Sequence, residues 1–213
     1  MTSSEFQALT GASPARMAEL ERFLVLLTEA NAVMNLVGPD SLPDFWNRHA
    51  WDSAQLLDRA GFARTWADLG AGAGFPGLVL AILSKDVPDA HVWLIDSLQK
   101  RCRFLQVVVD ELDLPATVVW GRAEEQALKV DLVTARAVAP MDKLLGYAQP
   151  YLDRGAQGLF LKGEKAEAEM QEASKVWRVD AELSVSRSDP RGRIVTIRSL
   201  RPHGTKRGGQ RRG

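Results

Sequence analysis

Apolar residues recur along this chain with two different periods. In roughly the first 60 positions the period is helical. Leu20, Phe23, Leu24, Leu27 and Ala30 fall on one face of a segment from Met17 to Met34. Ser13-Pro14 ahead of it offers a cap and a proline at the first helical position. Asn35-Leu36-Val37-Gly38-Pro39-Asp40 ends that helix. A second amphipathic helix is expected from about Pro43 to Ala60, carrying Phe45, Trp46, His49, Leu56 and Leu57. Beyond Ala60 the apolar runs shorten to strand length. Strands are expected at Thr65–Leu69, His91–Ile95, Thr117–Trp120, Asp131–Thr134, Gly158–Leu161, Glu182–Val185 and Arg193–Arg198. Helices are expected at Gly77–Ser84, Leu98–Leu112, Ala123–Leu128, Met141–Tyr151 and Glu164–Ala173. Strand–helix alternation predicts an α/β fold with a mostly parallel sheet covered on both faces. Between the last two strands, Ser188-Asp189-Pro190-Arg191-Gly192 leaves room only for a turn, so those strands form an antiparallel hairpin at one edge.

Composition narrows this picture only a little. The chain has 213 residues, 46% hydrophobic and 25% charged, enough for one good core and a small appendage. The expected organisation is a helical extension over residues 1–60 packed on a core domain of residues 61–200, then a basic, disordered tail over 201–213. No apolar run approaches a membrane span, and the N-terminus lacks the pattern of a secretory signal. A lone Cys102 and the scattered His49, His91 and His203 give no ligand spacing, so no metal site is expected. A soluble cytoplasmic monomer is the expectation. Formal net charge is zero, but all 27 acidic residues lie at or before Asp189. From Arg191 onward the chain carries eight basic residues and no acidic one, which suits contact with a polyanion.

The chemistry begins at Asp68-Leu69-Gly70-Ala71-Gly72-Ala73-Gly74-Phe75-Pro76-Gly77, between a strand and a helix. Glycine here removes the Cβ that would block a ligand and permits positive φ at the turn. In a dinucleotide enzyme such a loop faces a pyrophosphate. An acid beside the glycines, Asp68, suits instead the ammonium of the methionine part of S-adenosylmethionine. Asp96, closing the next strand, is placed to accept hydrogen bonds from ribose hydroxyls. A tight turn without a ligand and two simple caps are the bland readings of these residues. The glycine loop, the paired acids and the antiparallel hairpin together point to a class I S-adenosylmethionine-dependent methyltransferase fold. That fold is Rossmann-like, with a seven-stranded sheet and here an N-terminal helical extension.

Further segments resemble one family. They are Asn35-Leu36-Val37, Trp46-Asn47-Arg48-His49-Ala50-Trp51-Asp52-Ser53, the loop from Asp68 to Gly77, and Asp96-Ser97-Leu98-Gln99-Lys100-Arg101. Gly121-Arg122-Ala123-Glu124-Glu125, Thr134-Ala135-Arg136-Ala137-Val138-Ala139 and Leu161-Lys162-Gly163 complete the set in order and spacing. From about Asn35 to Leu200 the chain resembles the glucose-inhibited division protein B family, also called RsmG. The resemblance implies transfer of a methyl group from S-adenosylmethionine to N7 of a guanine in 16S ribosomal RNA, guanine 527 in the usual ribosomal numbering. It implies cofactor contacts at Gly70 and Phe75, at Ala123-Glu124 by the adenine end, and at Arg136. The C-terminus departs from the family pattern, with Pro202-His203-Gly204-Thr205 and a Gly/Arg tail in place of a proline- and lysine-rich segment bearing a tyrosine.

The candidate site is therefore Asp68, Gly70, Gly72, Gly74, Phe75, Asp96, Ala123, Glu124 and Arg136 for the cofactor. Arg136 and Lys162 are candidates for positioning the acceptor. Arg48, His49, Lys100, Arg101, Arg103, Arg207 and Arg211 are candidates for RNA contact. A surface ion pair for Arg136, a core histidine and a solvated helix face are the competing readings. Guanine N7 carries a lone pair and no proton, so its methylation needs alignment and no general base. Alternatives are a class I enzyme with another acceptor, a non-catalytic RNA-binding assembly factor on the same fold, and, less well matched, a nicotinamide dehydrogenase.

Overall fold

The computed structural model describes residues 1–38, 41–126 and 128–203. Two helices open the chain, α1 (Ser3–Thr10) and α2 (Pro14–Met34). The pattern gave α2 but not α1, which is held by a reciprocal Thr2–Glu5 capping box and ends at Gly11 with φ 67°. Ser13 caps α2 through Arg16 N–H, with Pro14 at its first position.

The expected helix from Pro43 to Ala60 forms differently. Phe45–Trp51 is a π-helix, Asp52–Ala54 one α-turn (α3), and Leu57–Arg59 a 3₁₀ turn. The period-3.6 reading is blind to this wider winding, which is rare and recurs at functional sites. Here it coincides with Arg136 reaching in to donate to Arg48 C=O at 2.8 Å.

The core alternates as expected: β1 (Thr65–Leu69), α4 (Gly77–Leu83), β2 (His91–Asp96), α5 (Gln99–Glu111), β3 (Ala116–Trp120), β4 (Leu132–Arg136), α6 (Met141–Leu152), β5 (Gln157–Lys162), α7 (Ala166–Ala173), β6 (Trp177–Val185) and β7 (Arg193–Pro202). They form one seven-stranded sheet in the order β3-β2-β1-β4-β5-β7-β6. All pairings among β1 to β5 are parallel, and β7 runs antiparallel to both β5 and β6. The central strands β1 and β4 are buried almost throughout, whereas edge strand β6 alternates. That alternation runs back to Trp177, well before the expected start at Glu182, because charged residues on its outer face hide the strand from an apolar-run reading. For the same reason β7 extends to Pro202, past Arg198, so the last strand includes the start of the basic segment.

The helix expected over Ala123–Leu128 is not seen among the described residues; a 3₁₀ turn covers Ala123–Glu125 and Gln126 is extended. Topology explains the correction. Residues 121–131 must pass from the end of β3 across β2 and β1 to the start of β4. That path is about 14 Å across the sheet and about 16 Å along it, a diagonal that eleven residues reach extended but not wound as helix.

Two apolar clusters sandwich the sheet. One joins α4 and α5 to the N-terminal helices through Phe6, Leu20, Phe23, Leu27, Phe45 and Phe75. The other joins α6, α7 and the β7 face through Leu144, Leu145, Tyr151, Phe160 and Val195. Phe75, from the glycine loop, thus packs against Phe23 of α2 and Phe45 of the π-helix. This packing brings the N-terminal segment to the carboxyl ends of the strands, where open α/β sheets bind ligands.

Candidate functional site

The glycine loop leaves β1 at Leu69 and enters α4 at Gly77. Gly70, Gly72 and Gly74 have φ of 67°, 58° and 96°. A Cβ on Gly74 would run into Leu78, and one on Gly77 would stand 2.6 Å from Asp68 Oδ2. Asp68 lies beneath this loop with no exposed surface. Its Oδ2 accepts Gly77 N–H at 2.9 Å and its Oδ1 accepts the Thr134 hydroxyl at 3.2 Å, across the β1–β4 register. Burial pushes its carboxyl up to about 7, against the pull of those two donors. Asp96 is also buried. Its Oδ2 accepts Gly72 N–H at 2.9 Å and its Oδ1 accepts Leu98 N–H at 2.8 Å, with Arg101 at 3.5 Å. Both acids therefore fix the loop's shape from behind.

In front of the loop lies a cleft of about 1080 Å³. Gly70 and Gly72 line one side, and Phe75 reaches from the loop to the other side, against His49 and Arg136. Arg48, His49, Asp52 and Arg136 line the facing wall, with Lys162 and the Ser188–Gly192 turn beside them. Arg136 is held on several sides. Its Nη1 donates to Arg48 C=O at 2.8 Å and lies 3.4 Å from Asp52 Oδ2; its Nη2 donates to His49 Nδ1 at 2.8 Å. The guanidinium sits 4.8 Å from the Phe75 ring centre, and His49 stacks on that ring at 4.5 Å and 18°. Arginine is always the donor, so His49 Nδ1 accepts and the neutral ring carries its proton on Nε2. Burial first, then the Arg136 and Arg48 charges, push the His49 imidazole down to about 3. It is neutral at ordinary pH, and its basic lone pair is engaged.

The other expected residues fall in three places. Lys162 lines the cleft, but its ammonium donates to Ala139 C=O at 2.9 Å and pairs with Glu169 at 2.6 Å. Ala123 and Glu124 stand past the end of β3, outside this cleft; Ala123 C=O accepts the Tyr151 hydroxyl at 2.7 Å. Lys100, Arg101 and Arg103 are on the first turns of α5, with only Arg101 reaching the cleft. Arg207 and Arg211 lie outside the described residues. Among those described, no group of acidic, histidine and cysteine side chains could hold a metal, and no helix is long and apolar enough to cross a membrane.

Sequence reasoning passed over the residues that bind the far wall together. Asn47 Nδ2 donates to Ser188 C=O, Gln55 Nε2 to the Ser186 hydroxyl and the Ser188 hydroxyl to Asp52. Asn47 and Asp52 lie inside the segment Trp46–Ser53 that carries the family resemblance, which was the one available signal.

The comparisons with known proteins agree with this geometry. The ribosomal RNA small subunit methyltransferase G of Caulobacter vibrioides is 57% identical over 200 residues, covering 94% of this chain and 93% of that protein. The protein of the same name from another Caulobacter is 60% identical over 196 residues, covering 92% and 89%. A SAM-dependent methyltransferase of Aquifex aeolicus shares the fold, with a TM-score of 0.55 at 17% identity over 79% of this chain and 98% of that one. Residues 16–193 match the profile of the family described as rRNA small subunit methyltransferase G, and the chain belongs to that family.

Proposed function

We propose that this protein transfers a methyl group from S-adenosylmethionine to N7 of guanine 527 in 16S ribosomal RNA, in line and without a general base. Family membership supports the coarser part, a methyltransferase of small-subunit ribosomal RNA. The observation that carries the finer part is the cleft: a glycine loop on one wall, and on the other a fixed arginine and a histidine that cannot act as a base. Bare backbone at Gly70 and Gly72, supported by Asp96, fits a nucleoside-type cofactor, with Ala123 and Glu124 at the adenine end. When bound, S-adenosylmethionine supplies an electrophilic methyl on sulfonium.

The chain's own residues then have only to exclude water and orient the base. Guanine N7 presents its lone pair without losing a proton, so the wall needs no general base. The Phe75–His49 stack and the Arg136 guanidinium make that wall rigid. Arg48 and Arg101 at the rim and the basic tail suit RNA phosphates. N7 lies deep in the narrow major groove of duplex RNA, so the target is an unpaired or distorted guanine.

The test is tritiated methyl transfer to small subunits that lack the modification. Stoichiometric incorporation is expected, with a single-turnover rate at saturating cofactor flat above about pH 8, past the titration of Asp68, since no general base titrates there. RNA binding without incorporation would favour the assembly-factor reading instead.

A further inference from the structure

The mechanism leaves Asp52 without a task, although it lies at the junction of three segments. It stands on α3, directly after the π-helix, with its side chain mostly buried. Its Oδ2 lies 3.4 Å from Arg136 Nη1 at the end of β4. Its Oδ1 accepts the Ser188 hydroxyl at 2.6 Å and lies 3.2 Å from Gln55 Nε2. Gln55, itself buried, ties the same turn from its other side. Its Nε2 donates to the Ser186 hydroxyl at 2.8 Å and its Oε1 accepts Arg187 N–H at 2.9 Å. Asn47 donates to Ser188 C=O at 3.2 Å.

The β6–β7 turn is far from the N-terminal segment in sequence, yet hydrogen bonds with Asn47, Asp52 and Gln55 fix it there. The tip of that turn and Arg136 both line the cleft in front of the glycine loop. A single carboxylate thus spans the two parts of the wall that the acceptor must pass between. Its charge offsets the burial of the Arg136 guanidinium, whose Nη2 is then free to reach His49 and set its tautomer.

We infer that Asp52 is the positioning residue of the acceptor side: its carboxylate locks the Arg136 guanidinium to the Ser186–Gly192 turn and so sets the geometry in which the target guanine is held. The inference rests on the methyl-transfer reading above. Its role is exerted through Arg136 and the turn, to which both of its carboxylate oxygens are committed.

The test compares wild type with Asp52→Asn, which keeps the shape and removes the charge, and with Ser188→Ala, which removes the hydroxyl's bonds to Asp52 and Ser186 and no charge. Three quantities are read on the full chain: the affinity for S-adenosylmethionine by calorimetry, Tm, and the methyl-transfer rate at saturating small subunits per cofactor-binding site. Asp52→Asn is expected to lower that rate about tenfold and Ser188→Ala about threefold, with cofactor affinity within about twofold. Combined with Arg136→Lys, Asp52→Asn is expected to add much less than its separate effect, because both act through one pair. A merely structural role would lower Tm and the number of binding sites but leave the rate per site untouched; that result overturns the inference. So does a wild-type rate in both variants. Should Asp52→Asn fail to fold, Ser188→Ala decides alone: a wild-type rate overturns the inference and a reduced rate at unchanged Tm supports it. Absence of transfer by the wild type would instead sink the methyl-transfer reading itself.

Discussion

The two walls of the cleft are built on different principles. On the glycine-loop side, the work is done by backbone, and the side chains that matter, Asp68 and Asp96, hide behind it and hold N–H groups of residues 2 to 24 positions away. On the facing side, the work is done by side chains drawn from segments about 80 to 140 residues apart, with Arg136 and Asp52 at the centre. The first wall needs β1, the loop and α4, with the neighbouring ends of β2 and β4 behind them. The second exists only after the sheet has closed and the N-terminal segment has docked on it.

Substitutions on the two walls should therefore fail differently, and the largest effect is expected on the glycine loop. Gly74→Ala meets both a φ of 96° and the side chain of Leu78. It is expected to cost about 3 kcal/mol in urea unfolding and to abolish calorimetric binding of S-adenosylmethionine. Retained cofactor binding would mean the loop is less constrained than its contacts indicate. Arg136→Ala comes next. It leaves Asp52 unpaired and His49 without its donor, and should cost about 2 kcal/mol while cutting methyl transfer at least ~100-fold. Cofactor affinity should fall much less, so an equal loss in both would erase the distinction between the walls.

What the sequence made legible follows the same division. The order of the seven strands, the terminal hairpin and the glycine loop depend on short-range patterns and could be read in advance. Asp68 and Asp96 were readable as acids next to the loop, but not their burial, which for Asp68 comes with Thr134 arriving from β4. The facing wall was legible only as conspicuous motif residues. Nothing in Trp46–Ser53 announces a π-helix, and nothing links Asp52 to Ser188 before the fold brings them to 2.6 Å. The Ala123 segment misled because good helix formers were overruled by the distance the chain must cover.

The walls should also answer pH with opposite signs. Asp68 keeps its proton in the folded state up to about pH 7 but in the unfolded chain only to near 3.8, so its contribution to stability falls as pH rises through that window. His49 binds a proton only below about 3 when folded but near 6.5 when unfolded, so its contribution rises with pH between those values. In wild type the two slopes oppose each other between about pH 4 and 6.5. Asp68→Asn should reveal a stability that rises with pH in that range, and His49→Gln one that falls, read as the urea midpoint at each pH. Identical profiles would mean that neither group titrates as its surroundings dictate.

The smallest effect is expected from the basic tail. Because β7 runs to Pro202, a truncation should be placed after His203 and not at Leu200. Removing Lys206, Arg207, Arg211 and Arg212 should weaken RNA binding and reduce its salt slope by up to about 3, with cofactor affinity unchanged. An unchanged slope would remove the tail from the RNA interface.

The account is tested most directly by mapping the modified base. Small subunits treated with the protein and S-adenosylmethionine should yield ribosomal RNA that is cleaved chemically at 7-methylguanine at one position, guanine 527, and nowhere new elsewhere. Incorporated methyl without such cleavage, or cleavage scattered over many guanines, would contradict a wall built to present a single N7.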